Sequence, residues 1–157
     1  MAAIAVVAHS RKSLGGGLPE LREILAREGV TDPLWYEVSK SRRAPSCARR
    51  AAAKGADVVF VWGGDGTVQR CIDALAGTDT AVAILPAGTA NLLAANLGIP
   101  HDLSAAVRVG LHGDRRLRVF RDQQDLYGLL VELVMAPDQR LLDVRTNPIN
   151  EHTWNFE

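Results

Sequence analysis

The run Val58–Trp62 is short and apolar throughout, and β-branched residues dominate it. Such a run is typical of a strand buried on both faces, which is how strands lie in a parallel sheet. Ala3–Ala8 and Ala81–Leu85 have the same character, and Leu34–Val38 is a further strand candidate. These segments predict a parallel sheet with little of its surface left to solvent.

Segments with helical spacing of apolar residues separate the strands. We predict helices over Leu18–Leu25, Pro45–Lys54, Val68–Leu75, Ala90–Leu97 and Leu103–Leu111. Strands that alternate with helices in this way predict an α/β fold, a parallel sheet sandwiched by helices and built from right-handed crossovers. Ligands of such sheets bind beyond the carboxyl ends of the strands. The candidate binding loops are therefore residues 9–17, 39–44, 63–67 and 86–91.

Composition agrees with one globular domain, because the 157 residues are 47% hydrophobic and 23% charged. Eighteen basic residues balance eighteen acidic ones, so no global field favours nucleic acid, and no nucleic-acid partner is expected. One local cluster is entirely basic: Lys40, Arg42, Arg43, Arg49, Arg50 and Lys54. It fits either an anion-binding surface or a solvated helix face.

The termini and the cysteines exclude other classes. Met1–Ala8 is too short for a signal sequence or a membrane span, which predicts a cytoplasmic protein. Cys47 and Cys71 lack metal-ligand spacing, and we expect Cys71 to be a buried, reduced thiol. Leu126–Met135 is apolar but fits a strand or a helix equally well, and Asn147–Glu157 has no recognisable pattern.

The loop after the strongest strand reads Gly63-Gly64-Asp65-Gly66-Thr67. Glycines permit positive φ and let an anion approach the backbone, and the following helix offers its N-terminal N–H groups. We expect Thr67 to cap that helix or to bond a phosphate, and Asp65 to bind a ribose hydroxyl, a substrate hydroxyl or hydrated Mg²⁺. The alternative is a tight turn with an exposed Asp, but the strand and helix on either side favour a phosphate turn.

A second loop, Pro86–Asn91, also joins a strand to a helix. Gly88 leaves room for a ligand, and Thr89 is placed to cap the helix or to hold a phosphate. The loop should meet the first one, because the carboxyl ends of parallel strands share one edge of the sheet.

The Gly-Gly-Asp-Gly-Thr loop followed by Leu-Pro-Ala-Gly-Thr-Ala-Asn-Leu-Leu-Ala resembles the diacylglycerol kinase catalytic domain. The segments beginning at Leu34 and Val61 resemble the actinobacterial diacylglycerol kinases in particular, and the resemblance covers Ala3 to about Arg116. It implies an ATP-binding domain with a fold like that of NAD kinase and phosphofructokinase. It also implies ATP and Mg²⁺ as cofactors and a diacylglycerol-like lipid at a membrane surface as acceptor.

The resemblance also assigns nucleotide contacts to individual residues. The phosphates and ribose of ATP would lie on Gly63–Thr67, with Asp65 central, and the second loop would contribute Gly88 and Thr89. The first loop would contribute the residues that follow its strand, which are His9, Ser10, Arg11 and Lys12. A family Ser or Thr before the second helix maps to Ser39 or Ser41. No residue of the chain is assigned as catalytic base or as direct metal ligand.

The resemblance divides the chain at residue 116. Residues 1–116 would be the nucleotide-binding domain and residues 117–157 a divergent tail, with the family's second domain, which carries the base, absent. We therefore expect nucleotide binding with little or no lipid kinase activity from the chain alone, unless a homodimer or a partner chain completes the cleft. The protein would be cytoplasmic, or peripheral at the inner membrane face.

Two other functions stay open. Asn150-Glu151 resembles a pair in NAD kinases, which makes an NAD kinase-like enzyme one alternative. A degenerate, non-catalytic nucleotide-binding subunit is the other.

Overall fold

A computed structural model describes residues 2–113, 115–118 and 132–135. The strands are β1 (Ile4–His9), β2 (Leu34–Val38), β3 (Val58–Gly63), β4 (Ala81–Pro86), β5 (Arg115–Arg118) and β6 (Glu132–Met135). The helices are α1 (Gly17–Arg27), α2 (Ala44–Ala53), α3 (Asp65–Leu75), α4 (Leu92–Asn96) and α5 (Leu103–His112). A short 3-10 turn, Ser41–Arg43, leads into α2.

The strands form one sheet in the order β2-β1-β3-β4-β6-β5. All neighbouring pairs are parallel except β5 and β6, which run antiparallel. The chain moves from β1 outward to β2 and then returns past β1 to β3, so the direction of strand addition reverses at β1. The predicted α/β fold with a parallel sheet between helices is confirmed.

The helices cover both faces of this sheet. Helix α2 packs against α3, and α1 packs against α5. Right-handed crossovers place α1 on one face and α2 and α3 on the other, because the connection from β1 to β2 runs in the opposite direction to those from β2 to β3 and from β3 to β4. Phe60 and Trp62 of β3 are completely buried between the layers, as expected for a strand covered on both faces. Helix α5 crosses β3 closely at Gly110, where a Cβ would overlap the Phe60 ring.

Helix α4 is shorter than its sequence pattern suggests. The predicted helix covers Ala90–Leu97, whereas α4 begins at Leu92 and ends at Asn96. The preceding residue, Asn91, has a left-handed backbone with φ of 50°, which does not continue into a right-handed helix. The helix therefore cannot extend back to Ala90.

The sheet continues beyond residue 116 through β5 and β6. The last four residues of the ambiguous run Leu126–Met135 form β6, whose Leu133 pairs with Val82 of β4. The rest of that run lies outside the described residues. The patternless segment 147–157, with its Asn150-Glu151 pair, lies outside them too.

Cys71 is buried on the inner side of α3, as its helical position predicts. Burial raises the pKa of its thiol to about 12, with a smaller contribution from Cys47. Both cysteines are free thiols. Within the described ranges, no helix is long and apolar enough to span a membrane.

Candidate functional site

Three loops meet at the carboxyl edge of the sheet, because β1, β3 and β4 are neighbours and run in the same direction. The loop after β1 begins at Ser10, the loop after β3 is Gly64, and the loop after β4 runs from Ala87 to Asn91. The reversal of strand addition at β1 makes this edge the usual position of a ligand site in a doubly wound sheet.

The glycines of the first motif do not adopt positive φ, which is one of the two reasons for glycine that the sequence suggested. Positive φ was expected, but Gly64 has φ of −90° and ψ of −178°, and neither Gly63 nor Gly66 has positive φ. At Gly63 the reason for glycine is steric, because a Cβ would lie 2.7 Å from the Cβ of Thr67. At Gly66 a Cβ would meet no atom within 4 Å, so this residue faces open space at the first turn of α3.

The two loops touch through their backbones. A Cβ on Gly88 would overlap the Cα of Gly64 and lie 2.6 Å from the Asn91 side-chain oxygen. Gly64 occupies the position that a Cβ of Gly88 would take, so glycine is needed at Gly88 for packing between the loops. The amide of Ala87 also donates to the Gly63 carbonyl at 3.1 Å.

Asp65 connects the same two loops through its side chain. Its Oδ2 accepts the N–H of Leu92 at 3.1 Å, and its Oδ1 accepts the N–H of Leu93 at 3.0 Å. These are the first two residues of α4, whose N–H groups have no partner inside the helix. Asp65, itself the first residue of α3, therefore caps α4 from a different helix.

Asn91 is a central residue to which the sequence analysis assigned no role. It is buried, and its side-chain oxygen accepts the N–H of Gly88 at 2.8 Å. Its Nδ2 donates to the carbonyls of Pro86 at 3.0 Å and Gly88 at 2.8 Å. Asn is among the few side chains that tolerate left-handed backbone, so an Asn directly before a helix was the available signal.

The threonines of the two motifs lie in different environments. Thr67 is buried, and its hydroxyl bonds that of Ser41 at 2.8 Å instead of capping α3. Of the two serines that the resemblance offers as nucleotide contacts, Ser41 is hydrogen-bonded to the motif, whereas Ser39 is exposed. Thr89 is exposed and does not cap α4, since Asp65 does so.

The first loop is fixed to the sheet at several points. His9 is buried at the end of β1, and its Nδ1 accepts the Arg11 amide at 3.3 Å. The Ser10 amide donates to the Val38 carbonyl at 2.9 Å. The Trp62 indole donates to the Lys12 carbonyl at 3.1 Å, which ties the loop to β3.

The charged side chains at this edge differ in whether they already have partners. The side chains of Arg11 and Lys12 form no ion pair with the part of the chain that the structure describes. Within that part, no three His, Cys, Asp or Glu side chains come together as a metal site. Asp65 is the motif's own carboxylate, and both of its oxygens already accept backbone N–H groups.

Comparison with known proteins gives the family. The family model described as diacylglycerol kinase catalytic domain matches residues 8–119. A diacylglycerol kinase of Mycobacterium tuberculosis (strain H37Rv) is 52% identical over 50 residues, which are 32% of this chain and 16% of that protein. A probable YegS-like lipid kinase of Klebsiella pneumoniae (strain 342) is 35% identical over 104 residues, which are 63% of this chain and 35% of that protein.

A solved structure agrees at the level of the fold. The crystal structure of a diacylglycerol kinase from Bacillus anthracis superposes with a TM-score of 0.59 and 24% identity, covering 69% of this chain and 41% of that one. The chain thus spans well under half the length of these relatives. The matched residues include all three loops at the carboxyl edge, and the chain belongs to the diacylglycerol kinase catalytic domain family.

Proposed function

We propose that this chain is the nucleotide-binding part of an ATP-dependent lipid kinase that transfers the γ-phosphate of ATP to a hydroxyl of a diacylglycerol-like lipid. The observation that carries the proposal is the backbone contact between Gly64 and Gly88. It joins the two motif loops beside the first turn of α3, at the edge where α/β sheets bind ligands. Family membership supports the same activity.

The first turn of α3 suits a phosphate group. Asp65 and Gly66 begin the helix, so their N–H groups have no intrahelical acceptor, whereas the Thr67 N–H already donates to the Gly64 carbonyl at 2.9 Å. The positive end of the helix dipole also favours an anion. Gly66 has no side chain to block the approach, and Ser41, whose hydroxyl bonds that of the buried Thr67, lies close by. Arg11 and Lys12 follow β1 at the same edge and would add positive charge.

Mg²⁺ fits this site only in its hydrated form. Mg²⁺ keeps several of its waters and is usually held by nucleotide phosphates and one or two carboxylates. Asp65 would take that part through water, since its two oxygens retain lone pairs beyond the two N–H bonds. When bound, the ion would neutralise charge on the phosphates during transfer.

Lipid phosphorylation also needs residues that position the acceptor and accept its proton, besides the nucleotide-binding loops. Phosphoryl transfer requires the acceptor hydroxyl to be held in line and a residue to accept its proton. We therefore propose nucleotide binding as the contribution of the described loops, and we expect other groups to hold the acceptor and accept its proton. The acceptor itself lies in a bilayer, which would place the protein at the cytoplasmic membrane surface.

A thermal-shift panel tests the nucleotide preference. With Mg²⁺ present, ATP should raise the unfolding temperature of the chain more than NAD does, because a ligand that binds only the folded state stabilises it. A larger shift with NAD would refute the lipid kinase proposal in favour of an NAD kinase. Radiolabelled transfer to diacylglycerol then separates an active kinase from a non-catalytic nucleotide-binding chain.

Gly66→Ala is the sharpest variant for the phosphate position. The added methyl group meets no protein atom within 4 Å, so stability should be unchanged or rise by up to about 1 kcal/mol. The same methyl would occupy the path of a phosphate to α3, and the ATP-induced shift should fall by most of its size. Asp73→Ala, an exposed change further along α3, is the control and should keep the shift. Full ATP binding by Gly66→Ala would remove this turn from the site.

A further inference from the structure

Six basic side chains form a surface that the candidate site does not use. They belong to the 3-10 turn and to α2 with its flanking residues: Lys40, Arg42, Arg43, Arg49, Arg50 and Lys54. All six are exposed, and residues 39–56 contain no Asp or Glu. We call this surface the cationic face.

No member of the cationic face forms an ion pair with the part of the chain that the structure describes. The ion pairs found there involve Arg22, Arg27, Arg108 and His112, and none includes a member of the cationic face. Its charges are therefore free to attract an external anion. Because the formal net charge of the chain is zero, this cluster of positive charge distinguishes the cationic face from the rest of the surface.

Helix α2 is oriented to present these charges outward. Its other side consists of Ala44, Ala48 and Ala51, which are completely buried. Arg49 also shares a shallow groove of about 240 Å³ with Arg70 of α3, so positive charge extends onto the neighbouring helix. The groove contains one carboxylate, Asp73, which makes the groove alone a poor anion pocket.

The face suits a broad anionic surface, because its charges are spread along the length of a helix. Ser46 and Ala53 are exposed between the basic residues, so no large apolar side chain of the face is available for insertion into a bilayer. Binding would be electrostatic, and each Lys or Arg near the surface of an anionic membrane would strengthen it roughly fivefold.

We propose that the cationic face rests on anionic phospholipid headgroups and holds the chain at the membrane. The choice of a membrane rests on the proposed lipid kinase function, whose acceptor lies in a bilayer. The face also lies beside the candidate site, because Ser41, in the turn that begins the face, bonds Thr67 at the start of α3. A bilayer in contact with the face would therefore lie near the nucleotide edge.

Vesicle flotation of the 157-residue chain tests this surface. The chain should float with phosphatidylcholine vesicles that contain phosphatidylglycerol and stay behind with pure phosphatidylcholine vesicles, and salt should release it. The triple variant Arg49→Ala, Arg50→Ala, Lys54→Ala should bind anionic vesicles on the order of a hundredfold more weakly.

The matched control removes the same charge from the opposite face of the sheet. The triple variant Arg22→Ala, Arg27→Ala, Arg108→Ala changes α1 and α5 and should float like the parent chain. Equal losses in the two triple variants would overturn the proposal, because net charge and not the cationic face would then be responsible. Tighter binding to duplex DNA than to anionic vesicles would overturn it as well.

The Mg·ATP thermal shift of each protein keeps the two proposals apart. A chain that shows the ATP shift but does not float lacks the docking surface and retains the proposed nucleotide site. A chain that floats through the cationic face without any ATP shift retains the surface and contradicts the proposed function. Because Arg49, Arg50 and Lys54 lie outside the candidate site, their replacement should leave the ATP shift unchanged.

Discussion

At the scale of single residues, the candidate site depends on positions where a side chain would not fit. Gly64 and Gly88 approach so closely that two loops distant in sequence behave as one surface. Asn91 completes the contact with its three hydrogen bonds to the Pro86–Gly88 backbone. The glycines are thus required by the contact between loops, and positive φ has no part in it.

Gly88→Ala should destabilise the chain where Gly66→Ala does not. Its methyl group would overlap backbone atoms of Gly64, which cannot move aside as a flexible side chain could, at a cost of about 1–3 kcal/mol. Urea denaturation of both variants beside the parent chain measures the difference. Equal stability of the two variants would contradict the close approach of the loops.

At the scale of elements, Asp65 links the start of α3 to the start of α4. Helix α4 has only five residues, too few to be stable alone, so its position depends on contacts from outside. The position of the second loop would therefore affect a ligand bound at the first turn of α3, because Asp65 connects the two. The Asp65 carboxylate therefore stabilises α4 in addition to any contact that it makes with a nucleotide.

Asp65→Ala separates this capping duty from nucleotide binding. Loss of the cap should cost about 1–2 kcal/mol and speed hydrogen exchange at the Leu92 and Leu93 amides. Asp102→Ala is the matched control, because Asp102 caps α5 by accepting the Ala105 amide at 2.7 Å. Both variants should lose stability, and only Asp65→Ala should lose part of its Mg·ATP shift. Undisturbed exchange in α4 of Asp65→Ala would show that the cap is unimportant.

At the scale of the whole molecule, the acidic side chain of Glu28 connects helices α1 and α5, which form one layer. Glu28, just after α1, accepts from Arg108 of α5 at 3.2 Å and bonds His112 at 2.9 Å. The bond with His112, followed by that from Arg108, lowers the pKa of the Glu28 carboxyl below its ordinary value of 4.5. The ionised carboxylate is thus favoured by folding, and stability depends on pH here.

Glu28→Gln should lower the unfolding temperature at neutral pH and lose its effect in acid. Because the folded pKa lies below 4.5, the contribution of Glu28 is complete above that value and disappears as the pH falls through the lowered pKa. Thermal unfolding followed from pH 7 to pH 3 by circular dichroism checks this. Glu23→Gln removes an exposed pair with Arg27 on the same helix and should change little at any pH. A Glu28→Gln effect independent of pH would contradict the ionic origin.

Much of the element order was predictable from the sequence. Val58–Trp62 and Ala81–Leu85 are apolar throughout because both faces of a central parallel strand are covered, and the structure confirms both strands. The boundary of α4 was not predictable in the same way, since apolar spacing continues through Ala90 while the backbone of Asn91 does not. Helical spacing reports which side chains can share a face and says nothing of a single left-handed residue.

The sequence by itself determined the layers of this protein and the type of its two motif loops, since both depend on local spacing and on glycine next to strand ends. Only the tertiary structure decided what the loop residues contact. Asp65 caps α4, the hydroxyl of Thr67 bonds that of Ser41, and the backbone of Gly88 packs against that of Gly64. Each of these contacts joins residues that are far apart in the chain and near in space. Their partners follow from how the strands are ordered in the sheet, which local patterns do not encode.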